Sequence, residues 1–137
     1  MIATDEMTPG EVVQHYLDTF FQKDVDRTLD CLTDDIVWKV QGAPNVPTVG
    51  VRHGKAEVRE WMSLFPAYFQ PQEFCVERTF ESGDQVVVMG HFTHRILGTG
   101  SEFKSDFAAV CTVRGGKVSA YNFLEDSYAL WKSFQTS

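Results

Sequence analysis

The segment from residue 73 to residue 124 reads EFCVERTFESGDQVVVMGHFTHRILGTGSEFKSDFAAVCTVRGGKVSAYNFL. Over long stretches its hydrophobic residues recur at every second position, which is typical of β-strands that bury one face. Three Gly-containing stretches, SGD, GTGS and RGGK, interrupt this alternation and predict turns. We predict four successive strands in this half of the chain, at 72–82, 85–97, 102–114 and 117–126.

The sequence before this segment has the period of helices instead. Thr8-Pro9-Gly10-Glu11 forms a capping box with Pro at the first helical position, and apolar residues follow at helical spacing. Pro66 lies inside the third helical pattern and predicts a kink or a break there. The predicted helices span 9–22, 25–32 and 55–69, a first strand spans 35–41, a loop spans 41–50, and the C-terminal tail is compatible with a short helix.

Helices that precede a run of strands indicate the α+β class with an antiparallel sheet. Long strands that contain Gly tend to bulge and curl, and helices across the open side of a curled sheet enclose a cavity. We therefore predict a cone-shaped curved antiparallel sheet that is wrapped by three N-terminal helices. With 137 residues, the chain suits a single domain over residues 1–137.

The formal net charge of the chain is −7 at pH 7. Nucleic-acid-binding proteins need a basic surface, and anionic membranes attract basic segments, so this charge disfavours both partners. No apolar run reaches transmembrane length, and the acidic N-terminal sequence MIATDEMTPGE lacks the apolar core of a secretion signal. Three scattered Cys residues without a C-x-x-C motif predict reduced thiols, and we expect a cytoplasmic protein.

Motifs for cofactors and nucleophiles are missing from the sequence. The chain contains no G-x-G-x-x-G, P-loop or G-x-S-x-G motif. His91 and His94 lie three residues apart on a predicted strand, so their side chains point to opposite faces and cannot share one metal ion. We therefore expect no metal and no cofactor. Only one of these His residues can face a cavity, and a bulge at Gly90 would reverse which one does so.

Two polar residues stand in unusual sequence contexts. Tyr16 lies inside the apolar stripe of the first helix, so it is either a hydrogen-bond donor to a ligand or a core side chain bonded to a backbone carbonyl. Asp106 lies mid-strand, where Asp is rare, and it either faces solvent or a cross-strand cation, or acts in catalysis. Carboxylates at element ends, such as Glu125 and Asp126, are interpreted as caps or solvated turn residues.

Several stretches together resemble one protein family. They include VVQHY (12–16), DDIVWKVQG (34–42), a P-x-x-P-x-x-G before GKAEV, GDQVVVMG (83–90), FAAVCTVRGGKV (107–118) and LEDSYA (124–129). Over about residues 8–130 the chain resembles the SnoaL-like, ketosteroid-isomerase-related branch of the nuclear transport factor 2-like superfamily. The resemblance implies a cone-shaped α+β fold and a dimer. The superfamily includes isomerases, cyclases, epoxide hydrolases, dehydratases and non-catalytic binding proteins.

The sequence keeps some functional residues of these relatives and replaces others. Tyr16 stands where the steroid isomerases have the Tyr of their oxyanion hole, but Val40 and Ala109 stand near their two functional Asp positions. Arg95 matches an Arg of the limonene epoxide hydrolases, whereas Phe123 replaces the acid in the last strand. The paired acid and base of each branch are therefore absent, and the interior is more apolar. The residues that the resemblance retains are Tyr16, Trp38, Arg95, Asp106, Asn122 and Asp126.

Two kinds of function remain open at this point. The chain is either a cofactor-independent isomerase, cyclase or hydrolase that acts on a hydrophobic carbonyl or polyketide-like compound, or a non-catalytic ligand-binding or dimeric scaffold protein. The candidate catalytic residues are Tyr16, His91, His94 and Asp106. The candidate ligand-binding residues are Trp38, Trp61, Phe65, Phe107, Phe123, Arg95 and Asn122.

Two structural expectations accompany these functions. We predict that the rings of the candidate set line one closed pocket beside Tyr16, with the alternative that they fill the cone as a solid core. The outer face of the sheet is predicted to form a homodimer because alternation leaves a row of apolar side chains uncovered there. That row consists of Ala108, Val110, Val118 and Ala120.

Overall fold

One sheet organises the molecule. In the computed structural model, which describes residues 7–43 and 46–135, six strands form a curved, unclosed sheet with the order β2-β1-β6-β5-β4-β3. The strands are β1 (Leu32–Val40), β2 (Gly50–His53), β3 (Phe69–Ser82), β4 (Gln85–Ile96), β5 (Glu102–Arg114) and β6 (Lys117–Glu125). The helices are α1 (Pro9–Phe21), α2 (Val25–Asp30), α3 (Gly54–Tyr68) and α4 (Ser127–Ser133).

The α+β class and the four-strand meander are confirmed. From β3 to β6, each strand pairs antiparallel with the next along the chain, and the predicted bounds differ from the observed ones by at most three residues. One pair departs from the predicted antiparallel sheet, because β1 runs parallel to β6. This pairing joins the first and last strands across most of the sequence, so local hydrophobic period carries no signal for it.

Two local predictions need correction. The predicted loop at 41–50 ends at Gly50, where the structure has an edge strand that the sequence did not predict. This strand, β2, has only four residues and pairs with β1. The third helix does not break at Pro66 but continues to Tyr68, where the chain enters β3. Only two helical residues follow this proline, so few helical hydrogen bonds depend on the turn that it disturbs.

Helix α1 begins as the sequence predicts. The backbone N–H of Glu11 donates to the side-chain oxygen of Thr8 at 3.2 Å, and the Thr8 N–H donates to the Glu11 carboxylate at 2.8 Å. The C-terminal tail also forms the short helix α4, which Asp126 caps by accepting from the Ala129 N–H at 3.0 Å. Predictions for residues 1–6, 44–45 and 136–137 lie outside the described residues.

Helices α1 and α3 cover one face of the sheet, which we call the concave face; the opposite one is the outer face. Bulges in β3, at 71–73 and 76–78, bend the sheet near Gly90 of β4. A Cβ at Gly90 would lie 1.9 Å from the carbonyl oxygen of Cys75, so the two strands approach too closely for any side chain there. Both bulges lie in β3, and the register between β4 and β5 is continuous. The side chains of β4 therefore keep pointing alternately to the concave and the outer face.

A further bulge alters the predicted outer face. The register between β5 and β6 shifts between Thr112 and Val113, so Val118 pairs with Val113 and is fully buried. Val118 therefore belongs to the core, and its assignment to the outer face is wrong. Ala108, Val110 and Ala120 remain on the outer face, where each is only partly buried.

Two simpler observations complete the fold. The three cysteines, Cys31, Cys75 and Cys111, are free thiols, and the first and last of them are buried. Among residues 7–43 and 46–135, no helix combines the length and the apolar character that crossing a membrane requires.

Candidate functional site

Aromatic rings from α1, α3 and three strands meet on the concave face. The indole of Trp38 lies 4.4 Å from that of Trp61 and stacks on Tyr121 at 5.0 Å between ring centroids. The ring of Phe107 stacks on that of Phe123 at 5.3 Å. We call the connected set the aromatic interior; its members are Tyr16, Trp38, Trp61, Phe65, Phe107, Tyr121 and Phe123.

The structure therefore brings together all six rings that the sequence predicts to share one site. Tyr121 was not among the predicted rings. It lies between Tyr16 and Phe123, with ring centroids 5.4 Å from that of Tyr16 and 6.2 Å from that of Phe123. Its position two residues before Phe123 on the same strand was the available signal. Whether these rings line a ligand site or form a solid core stays a matter of prediction.

Tyr16 and Trp38 form the polar centre of the aromatic interior. Both side chains are buried, and the Trp38 indole N–H donates to the Tyr16 hydroxyl oxygen at 2.9 Å. Because an indole can only donate, the oxygen of Tyr16 accepts and its own hydrogen is directed elsewhere. Within the described part of the chain, no acceptor for that hydrogen lies at hydrogen-bond distance. Burial raises the pKa of Tyr16, so the hydroxyl stays protonated.

His94 is the histidine that faces the interior. Its ring contacts Phe92 at 4.6 Å and Phe65 at 5.5 Å between centroids. Its Nδ1 lies 3.2 Å from the carbonyl oxygen of Thr93, which can only accept, so Nδ1 carries the hydrogen and Nε2 keeps a lone pair. Burial lowers the pKa of His94 to about 4, so the ring is neutral at pH 7.

His91 and Asp106 lie on the outer face, away from the aromatic interior. They are cross-strand partners in β4 and β5, and both line an open cleft of about 550 Å³. Nδ1 of His91 lies 3.5 Å from a carboxylate oxygen of Glu77. The opposite orientation of His91 and His94 follows from the two-residue period of the strand, as the sequence predicts.

Arg95 and Asn122 are also separate from the aromatic interior. The guanidinium of Arg95 is exposed and lies 3.5 Å from the carbonyl oxygen of Gly100. The side-chain oxygen of Asn122 accepts from the Gln41 amide at 3.1 Å, and its strand partner in β5 is Val110 on the outer face. Neither residue touches the rings with which the sequence grouped it.

Glu125 lies on the concave face of the sheet and not in the solvated turn that its position at a strand end predicts. It is the last residue of β6 and the strand partner of Phe107, whose side chain is buried on the concave face. Glu125 therefore projects to the same face, two residues beyond Phe123. Burial, followed by the negative charge of Asp126, raises the pKa of Glu125 to about 8. Its shared parity with Tyr121 and Phe123 was the signal that could have found it.

The aromatic interior carries no formal charge near neutral pH. Burial raises the pKa of Cys111 to about 12 and also raises the pKa of Tyr121, and His94 is neutral. With a pKa of about 8, the Glu125 carboxyl is mostly protonated at pH 7. No group of three or more His, Cys, Asp or Glu residues that could hold a metal ion occurs within residues 7–43 and 46–135.

Comparison with known protein families identifies the chain. The family model of the SnoaL-like domain matches residues 13–121. The chain belongs to the SnoaL-like family. This match runs from within α1 to Tyr121 in β6, so it includes every ring of the aromatic interior of this SnoaL-like protein except that of Phe123. No curated protein sequence matches the chain at a significant level.

Solved structures confirm the fold of the SnoaL-like protein. An NTF2-like protein from Burkholderia xenovorans is 22% identical, with a TM-score of 0.86 over 93% of this chain and 95% of the other. A candidate isomerase from Rhodopseudomonas palustris is 16% identical, with a TM-score of 0.79 over 89% and 94%. A candidate SnoaL-like polyketide cyclase from Mesorhizobium loti is 23% identical, with a TM-score of 0.71 over 86% and 99%. At these identities the likeness concerns the fold alone.

Proposed function

We propose that this SnoaL-like protein binds an uncharged, hydrophobic small molecule with a carbonyl group in its aromatic interior, and acts on it as a cofactor-independent isomerase or cyclase. One observation carries the proposal. The Tyr16 hydroxyl is buried, accepts from Trp38, and has a hydrogen without an acceptor in the described residues. A ligand carbonyl would supply that acceptor and would itself receive an oriented donor.

The preference for an uncharged ligand follows from the groups around Tyr16. Burying an unpaired charge costs several kcal/mol, and no interior side chain is charged at pH 7 to offset that cost. An apolar ligand gains about 25 cal/mol for each Å² of apolar area that it buries. The stacked rings of Tyr121, Phe123 and Phe107 favour a planar ligand.

A ligand would enter between the ends of α1 and α3 and the outer strands. The aromatic side chains at this edge of the cone are partly buried, except Phe21, which is exposed, and ring contacts that pass through Phe107 connect them. We call them the rim; they are Phe20, Phe21, Phe65, Phe74 and Phe123. Rotation of partly buried rings requires less repacking than rotation of rings in the deep core. Entry through the rim is therefore part of the proposal.

Non-catalytic ligand binding is the second candidate function. Val40 and Ala109 are apolar and buried, and the resemblance to steroid isomerases puts acids near both positions. A site without a proton-transfer group binds but does not turn over. The two candidates share the aromatic interior and differ in whether a bound ligand exchanges protons with the protein.

We also propose that the protein is a homodimer through its outer face. Met89 of β4 pairs with Ala108 of β5, which pairs with Leu124 of β6, so these three form one apolar row. Val37 of β1 adds to the same face next to Ala120. Met89 and Val37 are 43% and 41% exposed in the single chain. An apolar surface that crosses four strands supports burial against a second copy.

The binding proposal is tested by titrating the protein with two tricyclic probes of similar shape. Under nitrogen, anthrone supplies an uncharged planar ketone, and anthracene-9-carboxylate supplies an anion. Saturable quenching of tryptophan fluorescence by anthrone is expected, with affinity for the anion at least about tenfold weaker because its charge is desolvated. No saturable quenching by anthrone, or equal affinity for both probes, would contradict the proposal.

The substitution Tyr16→Phe links that binding to the proposed donor. Loss of one hydrogen bond to the carbonyl should weaken anthrone binding by about 2- to 12-fold. Tyr128→Phe is the matched control, because Tyr128 lies on α4 and is 66% exposed. If both variants bind anthrone as the parent does, Tyr16 is a core residue only.

A further inference from the structure

We infer that a cleft between β2 and α3 binds a free amino acid with an apolar side chain, whose carboxylate pairs with Arg52 and whose ammonium group lies between Glu57 and Glu60. The site is separate from the proposed ligand site in the aromatic interior and does not depend on it. The cleft has a volume of about 350 Å³, which suits a small ligand. It is lined by Val51, Arg52, Glu57, Glu60, Trp61 and Leu64.

The first support is the state of the Arg52 side chain. Every other arginine of the chain is exposed, whereas Arg52 is partly buried. Arg59, for comparison, is exposed and donates to the Asp26 carboxylate at 2.8 Å. Within residues 7–43 and 46–135, Arg52 forms no ion pair with a carboxylate. A cation that is partly withdrawn from water without a counter-ion favours an anionic group from a ligand.

Backbone carbonyl groups hold the Arg52 guanidinium in place. Its Nη1 donates to the carbonyl oxygen of Thr48 and its Nη2 to that of Pro47, both at 3.2 Å. The Thr48 oxygen also accepts from the indole N–H of Trp61 at 2.9 Å. These bonds use two of the five guanidinium hydrogens and fix the group beside Trp61. The other hydrogens are available to a carboxylate, which a guanidinium binds through two parallel hydrogen bonds.

Two carboxylates on α3 supply the opposite charge. Glu57 and Glu60 lie three residues apart on the helix, so their side chains are neighbours on one face. One Glu57 oxygen accepts from the backbone N–H of His53 at 2.7 Å, and the Glu60 carboxylate has no hydrogen bond to a described residue. Burial lowers the pKa of Arg52, and the negative charges of Glu57 and Glu60 act in the opposite direction. Both carboxylates are therefore close enough to interact with the guanidinium, although neither forms an ion pair with it.

This arrangement of charges favours a zwitterion. A simple anion on Arg52 would be repelled by the two carboxylates, and a simple cation between the carboxylates would be repelled by Arg52. A ligand that carries an anionic and a cationic group on adjacent atoms interacts favourably with both sides of the cleft. The α-carboxylate and α-ammonium groups of a free amino acid have this arrangement.

The rest of the cleft accounts for an apolar side chain on the ligand. Val51 is 46% exposed and Leu64 is partly buried, so both present apolar surface that a ligand would cover. Trp61 forms the wall between the cleft and the aromatic interior, where its ring lies 4.4 Å from that of Trp38. An aromatic or branched aliphatic side chain would bury its surface against these three residues.

Calorimetric titration with three related probes tests the inference. L-phenylalanine carries both charged groups, 3-phenylpropionate carries only the carboxylate, and 2-phenylethylamine carries only the ammonium group. At pH 7 we expect saturable binding of L-phenylalanine and an affinity at least about tenfold weaker for each of the other two. No saturable binding of L-phenylalanine, or equal affinity for a probe with one charge, would overturn the inference.

Two substitutions assign the charged groups. Arg52→Gln should weaken L-phenylalanine binding by about tenfold or more and should leave the affinity for 2-phenylethylamine unchanged or higher. Glu60→Gln should weaken L-phenylalanine binding and leave the affinity for 3-phenylpropionate unchanged or higher. Because Glu60 is exposed, its variant provides the test if Arg52→Gln does not fold.

Matched controls carry the same changes away from the cleft. Arg59→Gln removes an arginine that pairs with Asp26, and Glu102→Gln removes an exposed carboxylate at the start of β5. Both controls should bind L-phenylalanine as the parent protein does. Parental affinity for L-phenylalanine in Glu60→Gln or in folded Arg52→Gln, or an equal loss in the controls, would show that the cleft does not hold the amino acid in this way.

Discussion

Trp38 on β1 donates its indole N–H to the hydroxyl oxygen of Tyr16 on α1, at a distance of 2.9 Å. This hydrogen bond crosses from the sheet to the helical layer inside the aromatic interior, where both side chains are buried. It fixes the orientation of the hydroxyl, because a buried indole N–H must keep an acceptor. The same contact that stabilises the fold therefore prepares a donor for a ligand oxygen.

Removing the Tyr16 hydroxyl should lower stability as well as binding. Tyr16→Phe leaves the Trp38 N–H buried without its acceptor, which should cost about 1–3 kcal/mol of unfolding free energy. Urea denaturation measures this loss, and Tyr128→Phe on exposed α4 should change the free energy by less than about 0.5 kcal/mol. Equal stability of the two variants would show that the Trp38–Tyr16 hydrogen bond contributes nothing.

Glu125 should make the protein less stable as the pH rises. Its pKa is raised from 4.5 to about 8 in the folded state, so the folded protein holds a proton that the unfolded chain releases. Stability is then fully present below pH 4.5 and falls up to pH 8, by at most about 1.4 kcal/mol per pH unit. In Glu125→Gln this fall should disappear, whereas Glu102→Gln should follow the parent protein. Parallel curves for parent and Glu125→Gln would contradict the burial of the carboxyl.

His94 should have the opposite pH dependence. Burial lowers its pKa from 6.5 to about 4 in the folded state. Between these pH values His94 is protonated in the unfolded chain and neutral in the folded protein. The contribution to stability is present above pH 6.5 and is lost toward pH 4, again at no more than about 1.4 kcal/mol per pH unit. Denaturation of His94→Leu between these pH values should show a flatter curve, while His91→Leu on the outer face should keep the parental slope. A steep curve in both variants would assign the acid sensitivity to other groups.

The outer face should control assembly. Met89→Glu places a charge in the apolar row and should convert a homodimer to monomers at micromolar concentration, as measured by analytical ultracentrifugation. Leu97→Glu is matched in chemistry and exposure, since Leu97 is 49% exposed beyond the end of β4. It should leave the dimer intact. A parent protein that sediments as a monomer would contradict the proposed interface.

Hydrophobic period was sufficient for most of the elements, and the interior also needed the family resemblance. The two-residue alternation located β3 to β6, and helical spacing put Tyr16 on the buried face of α1. Trp38, Phe107 and Phe123 were assigned to the same interior by strand parity together with the positions that the resemblance implies. The same parity separated His91 from His94 once the structure showed that β4 itself has no bulge. These features depend on local geometry, which each residue's immediate neighbours determine.

The remaining features depend on partners distant in sequence. No local pattern encodes the parallel pairing of β1 with β6. The same is true of the bulge between Thr112 and Val113, which places the side chain of Val118 in the core. Glu125 was taken for a turn residue because it ends its strand, yet its partner Phe107 places it on the concave face. Which of His91 and His94 faces the interior, and whether Asp106 does so, stayed open from the sequence, and the structure places His91 and Asp106 together on the outer face.

A crystal structure of the protein with anthrone bound under nitrogen tests the claim that a ligand carbonyl binds beside Tyr16. We predict that anthrone lies inside the cone, stacked on the rings of Tyr121 and Phe123, with its carbonyl oxygen within about 3 Å of the Tyr16 hydroxyl oxygen. Anthrone found only in the outer-face cleft beside His91 and Asp106, or an aromatic interior that excludes it at saturation, would contradict the claim.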